Sequence, residues 1–109
     1  MKSSDRAYLQ GVLDNFIWAA INRVSHSGDM EHLFRLDAVE LKQATDRQRL
    51  HETVMDDVLG FFHGARVGAE YDQGRASFDI YLDLSRCALN QGQSSALAAA
   101  MEMFRAEHN

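Results

Sequence analysis

The chain has 109 residues, 46% apolar and 25% charged, a balance that suits one folded domain over residues 1–109 and excludes a disordered segment. Its net charge of −5, from 16 acidic and 11 basic residues, argues against a general nucleic-acid binder, which carries a basic patch or stripe. The single cysteine, Cys87, excludes an intrachain disulfide and fits a reducing compartment.

Residues 4–26 read as a long helix. Ser3 or Ser4 can cap it, and Asp5 sits near the positive end of its dipole. Leu9, Leu13, Phe16, Ile17, Ala20 and Val24 make one apolar stripe at helical spacing, and Trp18 falls off it. Trp18 therefore either covers a second element or anchors a partner, tryptophan being enriched at binding hot spots. Met1 to Asp5 shows no apolar leader, and the best apolar run, Phe16 to Ile21, is short of a membrane span. A cytoplasmic protein with no membrane partner is the expectation.

Ser25 to Asp29 breaks the helix at Gly28, with Asp29 as a new cap. Met30, Leu33, Phe34, Ala38 and Leu41 form a helical face, and Glu31 with Arg35 makes an i,i+4 pair, so a second helix is expected over 30–41; a strand over 32–41 is the alternative. Thr45 with Gln48 has the form of a capping box. Leu50, Val54, Val58, Phe61 and Phe62 follow as an apolar helical face. Gly60, Gly64 and Gly68 recur every four residues, clearing one side for a close neighbour, and Gly64 is the expected left-handed end of that helix.

The clearest pattern lies in residues 77–84. Phe78, Ile80, Leu82 and Leu84 alternate with Ser77, Asp79, Tyr81 and Asp83, the mark of a strand buried on one face and wet on the other. Residues 67–72 alternate more weakly, and Asp72-Gln73-Gly74-Arg75 makes a hairpin turn between the two. A hairpin alone is marginal, so helices or a third strand, from this chain or a second copy, must complete it. Asn90 with Gln93 starts a final helix whose Leu97, Ala100, Met101 and Phe104 face the core, while Glu107 to Asn109 fray. The fold class is α+β, helices packed on a small antiparallel hairpin, with an all-α bundle as the alternative.

Leu82-Asp83-Leu84-Ser85-Arg86-Cys87-Ala88-Leu89, with Leu97 and Met101 behind it, resembles one unit of a ribonuclease-inhibitor-type leucine-rich repeat. The unit occurs once, and such folds need about three stacked units. The resemblance implies only a strand–turn–helix with Leu84, Leu89 and Cys87 buried.

Chemistry-bearing residues are sparse. Glu52, Asp56 and His63 fall along one polar side of a helix and are the candidate ligands for a divalent metal, against the plainer reading of a solvated face. Cys87 is either a nucleophile or a buried apolar side chain. No phosphate loop, GxSxG or HExxH is present. The expectation is therefore a small acidic non-enzymatic protein–protein interaction module without a cofactor, an inhibitor or accessory factor of a larger complex such as mobile elements encode. Its partners would be another protein and a second copy of itself, met through Trp18, Asp79, Tyr81 and Asp83. A metal- or small-ligand-binding protein using the Glu/Asp/His helix face is the alternative.

Overall fold

The alternating stretch forms the middle strand of a sheet, because each neighbour it gains satisfies one row of its backbone groups. The computed structural model describes residues 1–108. The strand, β3 (Ser77–Asp83), lies between β1 (Glu31–Asp37) and β2 (Gly68–Asp72), antiparallel to both. Helices α1 (Ser3–Ser27), α2 (Ala38–Ala44), α3 (Glu52–Gly64) and α4 (Gln91–His108) complete the order α1-β1-α2-α3-β2-β3-α4. At 58% helix and 18% strand the chain is α+β and not an all-α bundle. No helix among the described residues is long and apolar enough to cross a membrane.

Phe78, Ile80 and Leu82 are fully buried on the inner face of β3, beneath α1. From α1, Leu9, Leu13, Ile17, Ala20 and Val24 join the same core, with Val58 and Phe62 of α3. Phe16 of α1 stacks on Phe34 of β1 with ring centroids 4.6 Å apart, and the Arg23 guanidinium lies over the Phe34 ring at 4.7 Å. The outer side of β3 is less uniformly wet than alternation predicts: Ser77 is buried and Asp79 largely covered.

Residues 31–37 form a strand, not the expected helix. β3 offers them a full ladder running from Glu31–Asp83 to Asp37–Ser77, which an isolated helical face cannot match. The third strand thus comes from the chain itself. Glu31 and Arg35 share the outer face of β1, and Arg35 Nε meets Asp79 Oδ1 at 3.2 Å. Asp37 then caps α2, its Oδ1 accepting from Val39 N–H.

Three further expectations are corrected. Ser3 and Ser4 give α1 no cap: Lys2 stands there, without a side-chain bond. Thr45 makes no capping box, since its hydroxyl donates back to Leu41 O at 2.7 Å and closes α2, while α3 starts at Glu52. The left-handed residue after α3 is Arg66 (φ 60°), not Gly64; Arg66 N–H donates to His63 O and Val67 N–H to Phe62 O, a Schellman turn that buries Val67. The Asn90–Gln93 box does form, with reciprocal bonds of 2.8 and 3.0 Å. Leu84 and Cys87 are buried, as the resemblance to a repeat unit implied, whereas Leu89 is only half-buried.

The final helix packs on α1 and not on the hairpin. Buried Gln93 donates to Asp14 Oδ1 at 3.0 Å near one end and Phe104 lies against Gly28 near the other, so α1 and α4 run parallel. The helix continues to His108 where fraying was expected; Asn109 lies outside the described residues. Gly28, at φ 74°, ends α1 with its N–H on Val24 O, and an added Cβ would stand 2.6 Å from the Phe104 ring. Gly28→Ala is therefore expected to cost about 1–2 kcal/mol from backbone strain and ring displacement. A urea midpoint equal to that of the parent would mean that Phe104 does not hold this junction.

Candidate docking surface

Helices cover only one side of the sheet. The opposite side carries the outward residues of three strands in rows set by the register. One row is Leu33–Tyr81–Gly68, the next Arg35–Asp79–Glu70, and Glu31 faces Asp83 at the end. Leu33 and Tyr81 are direct cross-strand partners, 48% and 46% exposed. A Cβ on Gly68 would stand 3.2 Å from Tyr81 Cβ, so the absent side chain leaves room for the tyrosine over β2. Tyr81 O–H donates to Glu70 Oε1 at 3.1 Å.

Beside this pair lies a cleft of about 390 Å³ lined by Glu31, His32, Leu33, Tyr81, Leu82 and Asp83. Its charge is set by carboxylates. Asp83 Oδ1 accepts from Ser85 Oγ at 2.6 Å and from Ser85 N–H at 2.9 Å, and these bonds hold its carboxyl below the ordinary range. Asp83 is thus ionised at neutral pH. The bond to Glu70 raises the Tyr81 phenol above its usual value and keeps it a neutral donor. Arg35 is the one basic residue in these rows, against Glu31, Glu70, Asp79 and Asp83. The arrangement can hold an apolar group in a negative rim; it brings no nucleophile and base together.

Of the residues singled out from the sequence, Asp79, Tyr81 and Asp83 share this face. Trp18, 46% exposed, stands apart from them. It belongs to α1, on the side shared with Asp14, Ile21 and Ser25, and Asp14 there accepts from Gln93 of α4. Helix α1 packs on the inner side of the sheet through Phe16 and Phe34, whereas Asp79, Tyr81 and Asp83 project from the outer side. Glu31, Leu33 and Arg35 escape a sequence reading that takes residues 30–41 as helix, while Glu70 falls on the expected hairpin strand but is not singled out there. The spacing Glu31-x-Leu33-x-Arg35 is the signal that could have found the first three.

Glu52, Asp56 and His63 do not converge. Among the described residues no group of three or more His, Cys, Asp or Glu side chains is placed to hold a metal ion. His63 Nε2 instead bonds Ala69 O at 3.0 Å. Asp56 lines an open groove of about 520 Å³ between α1 and α3, along Gly60 and Gly64. Nothing fills the space beside either glycine. Burial pushes the Cys87 thiol above its usual range, which leaves it protonated and unsuited to nucleophilic attack at neutral pH. No protein-family model, curated protein or solved structure matches the chain.

Proposed function

We propose that the chain is a non-enzymatic protein–protein interaction module that docks on a partner protein through the outer face of its sheet and also pairs with itself. The observation that carries the reading is the Leu33–Tyr81 pair, two large apolar side chains left side by side on a face no helix covers. Glu31, Glu70, Asp79 and Asp83 around it select a partner that presents an apolar residue within a basic rim. An inhibitor or accessory factor works in this way, by occupying a surface on a larger complex.

Tyr81 is the residue to remove, since its ring is exposed and its loss opens no core cavity. With the tagged chain as bait in host extract, Tyr81→Ala is expected to weaken the specific partner's binding about thirtyfold, the scale of a hot-spot loss. Binding should fall as salt rises, and Trp18→Ala should leave it unchanged. Full binding by a folded Tyr81→Ala chain, with loss on Trp18→Ala, would move the docking surface to α1.

A further inference from the structure

The two edges of the sheet are treated differently. At the ends of the β1–β3 ladder, Leu84 N–H donates to Met30 O and Ala38 N–H to Ala76 O, each at 3.0 Å. With the register, this phase aims the backbone groups of His32, Phe34 and Leu36 at β3, and those of Glu31, Leu33 and Arg35 outward. On the other side β3 bonds Gly68, Glu70 and Asp72, so Ala69 and Tyr71 face the free edge of β2. That edge is blunted: His63 of α3 takes the Ala69 carbonyl. No side chain among the described residues bonds the outward backbone groups of Glu31, Leu33 or Arg35.

We infer that the β1 edge is a self-recognition strand, on which a second copy of this chain adds its own β1 antiparallel about a twofold axis through Leu33. The inference rests on the self-pairing in the functional reading above and supplies its geometry. Antiparallel pairing about Leu33 sets Leu33 opposite Leu33, and Glu31 opposite Arg35, twice by symmetry. All three pairs use outward backbone groups, which gives six inter-chain N–H···O bonds, two for each pair. The side chains of these residues lie on the outer face, so the leucines touch and each Glu31 carboxylate meets an Arg35 guanidinium. Arg35 commits only Nε to Asp79, at 3.2 Å, and its side chain is still half exposed.

Registers shifted toward the C-terminal end of β1 fail on the same chemistry. Pairing about Arg35 sets the two guanidiniums against each other, and pairing about Phe34 sets Glu31 against Asp37. On the inner face, pairing about Leu33 brings His32 opposite the second copy's Phe34. The product is a continuous six-stranded sheet, two docking faces side by side, each Tyr81 one strand away from the central leucines.

Charge reversal tests the register, and Glu31→Arg does so while sparing the fold. Within one chain Glu31 stands opposite Asp83, so Glu31→Arg relieves a like-charge pair. Between copies it sets the introduced guanidinium against Arg35 twice and is expected to weaken the dimer about tenfold. Arg35→Glu weakens it likewise, by setting the introduced carboxylate against Glu31; it also gives up the pair with Asp79, so its fold is checked by circular dichroism. A mixture of the two variants restores opposite charges in one pair of each heterodimer's two cross-strand contacts as a guanidinium facing a carboxylate, and leaves a native Arg35 facing a native Glu31 in the other. The mixture is therefore expected to give a heterodimer at wild-type concentration. Leu33→Pro deletes an N–H that β3 does not use and is expected to be monomeric while keeping the parent's circular dichroism spectrum.

Sedimentation equilibrium at micromolar concentration reads all four. A monomeric parent chain, or variants that dimerise as well as the parent, would overturn the inference. So would two monomeric variants that fail to pair when mixed. The Tyr81→Ala binding test is separate, because Tyr81 contributes nothing to the β1 edge: a monomer that still binds its partner sinks the dimer alone, and a dimer that does not sinks the docking face alone.

Discussion

Phe78→Ala is expected to cost about 4 kcal/mol, out of the roughly 5–15 kcal/mol that holds a domain of this size. Phe78 is fully buried in the central strand, with the Tyr71 ring 4.9 Å away and Leu36 opposite on β1. Truncation removes the ring's transfer free energy and leaves a cavity that two flanking strands and α1 cannot all close upon. Phe78→Leu, which keeps most of the volume, should cost about 1 kcal/mol. The measurement is the urea midpoint with an unchanged slope. A loss below about 1 kcal/mol for the alanine variant would mean that the sheet's inner face is not the centre of the core.

Arg47→Ala is the second large effect, with an expected cost of about 3 kcal/mol. Asp5 is buried in the first turn of α1, and its Oδ2 accepts from Arg47 Nη2 at 2.9 Å. The Arg47 guanidinium holds that carboxyl below its ordinary range, chiefly through the hydrogen bond, against the opposing effect of burial. The loop reaches this geometry through Asp46 at φ 54° and through the Thr45 bond that closes α2. Without Arg47 a carboxylate is left buried and unpaired.

The pH dependence has a definite sign. A carboxyl with a depressed folded pKa contributes stability that is present above its unfolded value, about 3.9, and is lost as pH falls through the folded value. Wild-type stability should therefore drop on acidification. The gap between wild type and Arg47→Ala should be widest at neutral pH and shrink below about pH 4, where the variant's Asp5 is already protonated. A gap constant from neutral to acid pH would show that Arg47 acts through packing and not through its charge. Replacing both partners, Asp5→Leu with Arg47→Met, should recover most of the loss, since an apolar pair leaves no stranded charge.

Half of the candidate site is legible in the residues alone. Asp79, Tyr81 and Asp83 fall on one face because strict alternation admits one arrangement, apolar residues inward. The other half of the face comes from β1, where alternation is spoiled: Leu33 points outward and Phe34 inward, so adjacent apolar residues mimic a helical face. What makes 31–37 a strand is a ladder to residues 77–83, far along the chain, which no local window contains. Composition alone groups Trp18 with the sheet's acids, although its helix packs against the other side of that sheet.

Local chemistry decides where the side chain and its target are neighbours in the chain. The span of α1, the Gly28 stop, the inward face of β3 and the Asn90–Gln93 box are of this kind, written in residue spacing and readable there. Tertiary packing decided the rest. It set His63 of α3 against an edge carbonyl of β2, drew α4 onto α1 and left the β1 edge bare, whereas the Thr45 bond and the Arg66 turn are local choices that residue type alone does not single out. Gln93 bonds Asp14 across 79 positions and Arg35 meets Asp79 across 44, and residue spacing does not encode such pairings.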